Sequence, residues 1–127
     1  MKKDIYTDAA PAAIGTYSQA IQSGHTIYLS GQIPLHPKTM MLVSDEFSEQ
    51  VKQVFKNLEA VCVAGGGHLN SIVRLTIYLI DLTHFSIVNE IMAQLFQSPF
   101  PARTTIQVSG LPKGAQIEID AVMVIDI

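Results

Sequence analysis

Arg103 and Glu118 are the two residues whose chemistry stands apart from their surroundings. They lie in the stretch Pro101 to Val124, PARTTIQVSGLPKGAQIEIDAVMV. A guanidinium offers a planar fork of donors that matches a carboxylate in two parallel hydrogen bonds. A glutamate held in a partly apolar setting can exchange protons near neutral pH. Together the two can form an ion pair on a sheet face, the default for such residues, or the two poles of a site. Two features point towards a site. Arg103 follows a helix-stopping Ser98-Pro99-Phe100-Pro101 segment, which places it at a strand start, near a sheet edge. Its neighbours are Thr, Gln and Ile rather than the mixed charges of a solvated face.

Other chemistries find little support. His25, His36, His68 and His84 form no H-x-x-x-H or H-x-H pattern, and Cys62 has no cysteine partner, so no metal site is expected. There is no G-x-S-x-G elbow and no G-x-G-x-x-G loop. Gly65-Gly66-Gly67 is followed by neither Lys-Ser/Thr nor a helix, so it reads as a helix terminus and link. Cys62 sits in a helical pattern and reads as a small buried side chain. Tyr17, in a Pro- and Gly-punctuated loop, is a packed aromatic with one polar tip. Asn89, among the apolar residues of a helix, reads as solvated or bonded to backbone.

These residues need a frame. In the C-terminal stretch Thr104, Ile106 and Val108 alternate with Arg103, Thr105 and Gln107. Beyond Gly110-Leu111-Pro112-Lys113-Gly114, Ile117, Ile119, Ala121 and Met123 alternate with Gln116, Glu118 and Asp120. Period two is a half-buried strand, and a Gly/Pro loop between two such runs predicts a hairpin. If the two apolar rows share one core, Arg103 and Glu118 leave the same face. Upstream, residues 4–8 suit a short edge strand. Ala20–Ser23 and Thr26–Ser30 suit two strands, the second ending at a Ser30-Gly31-Gln32 bend where glycine permits close approach. Ser44-Asp45-Glu46 opens a helix with Phe47, Val51, Val54, Phe55, Leu58 and Val61 on one stripe. Ile72–Ile80 is the most apolar strand and is expected to be central, with Arg74 at a surface or interface. Thr83 can cap a second helix whose stripe is Phe85, Val88, Met92, Leu95 and Phe96, with Ile87 and Ile91 widening the apolar face. The order is β-β-β-α-β-α-β-β, which suits an α+β fold with a mixed sheet of about six strands and two helices on one face.

Length admits one domain, 1–127. The chain is 48% hydrophobic and only 15% charged, which is more apolar than a small monomer needs. Two helices cover one sheet face, so the surplus predicts a second copy on the other. The net charge of −3 and eight scattered basic residues argue against a nucleic-acid surface. No apolar leader follows Met1-Lys2-Lys3 and no stretch is long enough to span a membrane, so a soluble, cytoplasmic protein is expected.

Several stretches together resemble the reactive intermediate deaminase (RidA) family. They are Ala10-Pro11-Ala12-Ala13-Ile14-Gly15, Tyr17-Ser18-Gln19-Ala20, Ser30-Gly31-Gln32-Ile33-Pro34, Asp81-Leu82 with Phe85 and Val88-Asn89, Pro101 to Ile106, Gly110 to Lys113 and Ile117 to Ala121. The match runs almost end to end. It implies a chorismate-mutase-like fold, a homotrimer with a site in each cleft between subunits, and no cofactor. The implied activity is hydrolysis of 2-imino and 2-enamino acids, such as 2-aminoacrylate and 2-iminobutanoate, to 2-oxo acids and ammonia. On that resemblance Arg103 grips the substrate carboxylate and Glu118 activates water. Tyr17, Ser30, Gly31, Thr105 and Asn89 complete the substrate contacts. Many members carry cysteine where this chain has Thr105, so a thiolate is unavailable there. The competing readings are a module that binds small carboxylates without turnover, a ribonuclease or translation inhibitor, and a chaperone-like holdase.

Overall fold

The computed structural model describes residues 1–126. Its strands are β1 (Lys2–Ile5), β2 (Ala20–Ser23), β3 (Thr26–Gln32), β4 (Ile72–Leu79), β5 (Ala102–Gln107) and β6 (Ile117–Val124), and its helices are α1 (Phe47–Ala64) and α2 (Phe85–Leu95). The strands form one sheet in the order β1-β2-β3-β6-β4-β5. Every pairing is antiparallel except β4 with β5. This is the expected α+β mixed sheet with two helices, although β1 lies a little earlier than the expected 4–8. No helix among the described residues is long and apolar enough to cross a membrane.

The last two strands do not form the expected hairpin. β4 lies between them, pairing Leu75 with Arg103 on one side and with Ala121 on the other. The cause is apolar content. Leu75, Ile77 and Leu79 are fully buried, and a strand inside the sheet satisfies both rows of backbone groups while burying that face. β5, with Arg, Thr and Gln, is left at the edge, where polar side chains are tolerated. The linker from Val108 to Gln116 is long enough to step across a strand.

That insertion moves Arg103 relative to Glu118. Residues in register share a face. Arg103, Leu75 and Ala121 form one row, under the helices. Ile106, Tyr78 and Glu118 form another, on the open face. The shared-face expectation is therefore corrected: Arg103 and Glu118 project from opposite faces. The core pattern of β5 misleads because, at the edge, neither of its faces is fully covered; only Thr105 is even partly buried.

The core lies between sheet and helices. Ile27, Leu29, Ile117, Ile119 and Met123 meet Val51, Val54, Phe55, Leu58 and Val61 of α1 and Val88, Ile91 and Met92 of α2. Each fully buried aliphatic side chain contributes about 1.5–3 kcal/mol over exposure. In α2, Ile91 is buried and Leu95 is 40% exposed, so the stripe is rotated from the expected one. The expected caps also shift. Asp81, not Thr83, accepts from the backbone N–H of Thr83 at 2.9 Å and opens the short turn Leu82–His84 that leads into α2. Ser44 accepts from the Glu46 N–H at 3.0 Å, while α1 itself begins after Glu46 without a side-chain cap. α1 ends at Gly65, and Gly66 takes a left-handed φ of 92°, which L side chains rarely adopt. The opposite sheet face leaves Tyr28, Ile106 and Val124 between 41% and 53% exposed.

Candidate active site in two halves

The first half is a cleft of about 790 Å³ on the open side of β3 and β6. Tyr17, Gln19, Ser30, Gly31, Gln32, Lys113, Glu118 and Asp120 line it among others. A register shift builds its floor. Leu29 pairs with Ala121 and Gln32 with Ile119, so Ser30 and Gly31 together oppose Asp120. Such bulges bend a strand and re-aim the side chains beside it. Here the bulge brings the Gly31 backbone under Glu118. A Cβ on Gly31 would stand 2.1 Å from Glu118 Oε2, so only glycine leaves space for that carboxylate.

Ser30 ties the cleft to the Tyr17 loop. Its hydroxyl donates to the Ser18 carbonyl at 2.6 Å and its N–H to the Gln19 carbonyl at 3.0 Å. Gln19, 2% exposed, accepts from the Thr7 N–H at 2.7 Å and donates to the Pro11 carbonyl at 2.8 Å and the Thr7 carbonyl at 3.0 Å. The loop has no period, and this one amide supplies the backbone partners that a regular element would give it. It holds Tyr17 at the rim, 53% exposed.

Glu118 is half-buried. Burial, and then the nearby charge of Asp120, raise its carboxyl above the ordinary glutamate range. A carboxyl raised in this way suits a group that exchanges protons.

The second half lies at the other face, around a hollow of about 500 Å³ lined by Asn89, Met92, Ala93, Phe100, Pro101 and Arg103. One stripe of α2 fixes the guanidinium. Arg103 Nη1 donates to Asn89 Oδ1 at 2.8 Å and reaches Met92 Sδ at 3.5 Å, and its carbon lies 4.7 Å from the centre of the Phe85 ring. Cation–π contact and hydrogen bond together orient a planar fork. Among the described residues Arg103 has no carboxylate partner; the one ion pair joins Lys52 to Glu49 at 3.4 Å. The ion-pair reading of Arg103 with Glu118 therefore fails, and the fork is free to meet an anion. Thr105, two residues on and on the same face, carries a buried Oγ1 without a hydrogen-bond partner. Cys62 is buried and its thiol is pushed up to about 12 by burial, so it stays protonated.

The seven residues singled out from the sequence thus form two groups, Tyr17, Ser30, Gly31 and Glu118 in one and Asn89, Arg103 and Thr105 in the other. Within one chain the groups are not brought together. Gln19, Asp120, Phe85 and Met92 were missed as site-builders. Phe85 and Met92 do share the i, i+7 spacing with Asn89 between them, a helical stripe aimed at one cation.

The architecture defines an α+β protein with a carboxylate over a glycine floor and an anion-ready arginine on the opposite face. The chain belongs to the family described as endoribonuclease L-PSP, whose model matches residues 7–125. It is 42% identical to a 2-iminobutanoate/2-iminopropanoate deaminase of Dermatophagoides farinae, over 98% of each protein. Among solved structures, RidA from the Antarctic bacterium Psychrobacter sp. superposes with a TM-score of 0.93 at 46% identity, covering 97% of this chain and 99% of that one. E. coli TdcF with bound serine superposes at 0.90 with 34% identity, covering 98% and 99%.

Proposed function

We propose that this protein is a cofactor-independent deaminase that hydrolyses 2-imino and 2-enamino acids to 2-oxo acids and ammonia, at sites shared between subunits of a homotrimer. The observation that carries this reading is the half-buried Glu118 over Gly31 in one half-site, its carboxyl raised by burial, with an unpaired, pre-oriented Arg103 in the other. The name of the mite relative and the serine bound to TdcF, an amino acid with a carboxylate, support the same substrate class. The halves face opposite sides of the sheet, so a second copy must supply one of them. The exposed apolar residues of the open face and the 48% hydrophobic composition favour that assembly.

The chemistry follows from the residues. Arg103 of one subunit clamps the substrate carboxylate and so fixes the C=N carbon beside Glu118 of its neighbour. Glu118 takes a proton from water as the water oxygen bonds to that carbon. Glu118 returns the proton to the carbinolamine nitrogen, the C–N bond breaks as the hydroxyl oxygen forms the C=O bond, ammonia leaves, and the hydroxyl proton passes to solvent. Tyr17 closes the rim, and Thr105 Oγ1, still without a partner, can bond the substrate or the opposing subunit. The iminium carbon is already electrophilic, so no redox or carrier group is required.

A carboxylate-binding module without turnover is the competing reading, and Glu118→Gln separates the two. We expect turnover of enzymatically generated 2-iminobutanoate to fall by about 10²–10⁴-fold while 2-oxobutanoate still binds. Unchanged turnover would overturn the assignment. The net charge of −3 favours a small anionic substrate held locally over RNA tracking.

A further inference from the structure

Glu118 has a companion that the reaction scheme leaves unused. Asp120 lies two residues along β6, on the same face, and lines the same cleft. It is held by Tyr78 of β4, whose hydroxyl donates to Asp120 Oδ2 at 2.8 Å. Tyr78 is also the register partner of Glu118. Side chains opposite each other on antiparallel strands stand about 5 Å apart at Cβ. The Tyr78 ring therefore flanks the Glu118 stem, and its hydroxyl fixes Asp120 diagonally across. We propose that Asp120, anchored by Tyr78, is a positioning residue of the deaminase reaction, a fixed negative charge that acts through Glu118.

This inference rests on Glu118 being the proton-transfer group proposed above. A carboxylate beside another carboxylate disfavours its ionisation. Glu118 then holds its proton to higher pH, which strengthens it as a base towards water and still leaves it able to protonate the leaving amine. The other groups facing the cleft are few. Lys113 comes from the loop before β6 and Tyr17 from the loop before β2, while the bulge of β3 offers only Ser30 and Gly31. On β4, Arg74 shares the face of Thr76, the register partner of Asp120, and donates to Thr104 at 3.1 Å. Lys113 would favour the ionised form of Glu118. Burial and Asp120 outweigh it, because the net direction is upward. The Tyr78 hydroxyl is raised as well, chiefly by its bond to Asp120, so it keeps its donor proton through the working range. In the proposed assembly the neighbour's guanidinium adds a cation and the substrate a carboxylate, both absent from the free cleft.

The test compares Asp120→Asn and Tyr78→Phe with the unaltered protein in two measurements. One is the pH profile of kcat/KM for 2-iminobutanoate. The other is carbon-13 NMR titration of the Glu118 carboxyl in the free protein, assigned by its disappearance in Glu118→Gln. Asparagine keeps an oxygen for Tyr78 to bond but removes the charge. We expect the acid limb and the Glu118 titration to move to lower pH together. One pH unit below the unaltered midpoint, Asp120→Asn should retain about threefold or more of the plateau rate kept by the unaltered protein. Tyr78→Phe, which frees Asp120 to rotate into water, should shift both the same way by less, and it serves alone if Asp120→Asn does not fold. A merely structural role would lower the rate at every pH without moving either midpoint, and that result overturns the proposal. Full turnover by Glu118→Gln would instead overturn the deaminase mechanism beneath it, a distinguishable outcome.

Discussion

In the proposed mechanism Arg103 and Glu118 divide the work, and substitutions at each should fail differently. Arg103→Ala removes two charge-assisted bonds, each about 1.5–3 kcal/mol, so kcat/KM should fall by about 10²–10⁴-fold. Arg103→Lys should recover little, because a point charge can neither stack on Phe85 nor bridge Asn89 and substrate together. Steady-state kinetics on 2-iminobutanoate check both. Glu118 carries a cost in stability. Its folded-state pKa is raised, so between the ordinary glutamate value and that raised value the fold binds the extra proton. Stability is then lost as pH rises through that window. Glu118→Gln should therefore raise Tm at pH 7 relative to the unaltered protein, with the difference closing towards pH 4. Calorimetry at the two pH values measures it. A gain in stability with a loss of turnover marks a residue kept for chemistry.

At the scale of elements, the bulge in β3 is the part on which the glutamate half depends. Gly31→Ala would set a methyl 2.1 Å from Glu118 Oε2, and the cheaper response is rotation of the carboxylate. We expect turnover to fall by an order of magnitude or more while the urea midpoint moves little. Leu58→Ala in α1, where the side chain is fully buried, should do the reverse. It should cost about 2–5 kcal/mol and spare kcat, as equilibrium denaturation and kinetics together would show. The same contrast explains what the residues revealed in advance. Strand and helix identities were legible because β6 and α1 carry clean periods that one core enforces, and β4 an apolar run that only a central strand can bury. The order of strands was not. Alternation in Arg103–Val108 reads equally well beside β6 or beside β4, and the choice is made by the apolar weight of Leu75, Ile77 and Leu79. That choice also reversed the face of Arg103. Gln19 and Asp120 escaped notice because their roles depend on partners, Thr7, Pro11 and Tyr78, that are distant in sequence.

For the whole molecule, the opposition of the two half-sites is the main consequence of the fold. Glu118 opens on the bare sheet face and Arg103 on the helical one, so under the proposed mechanism a lone chain holds two incomplete sites. Placing a charge on the bare face, as in Ile106→Glu, should shift the solution mass towards the single chain. Turnover should fall in parallel, since buried unpaired charge strongly disfavours an interface. The most direct test of the shared site mixes two inactive proteins. Arg103→Ala and Glu118→Gln chains, unfolded together in equal amounts and refolded, assort at random. In a cyclic assembly each site draws Arg103 from one chain and Glu118 from the next, so about one quarter of the sites regain both. The account predicts recovery of about a quarter of the unaltered specific activity towards 2-iminobutanoate; a mixture no more active than its parents, although correctly assembled, would contradict it.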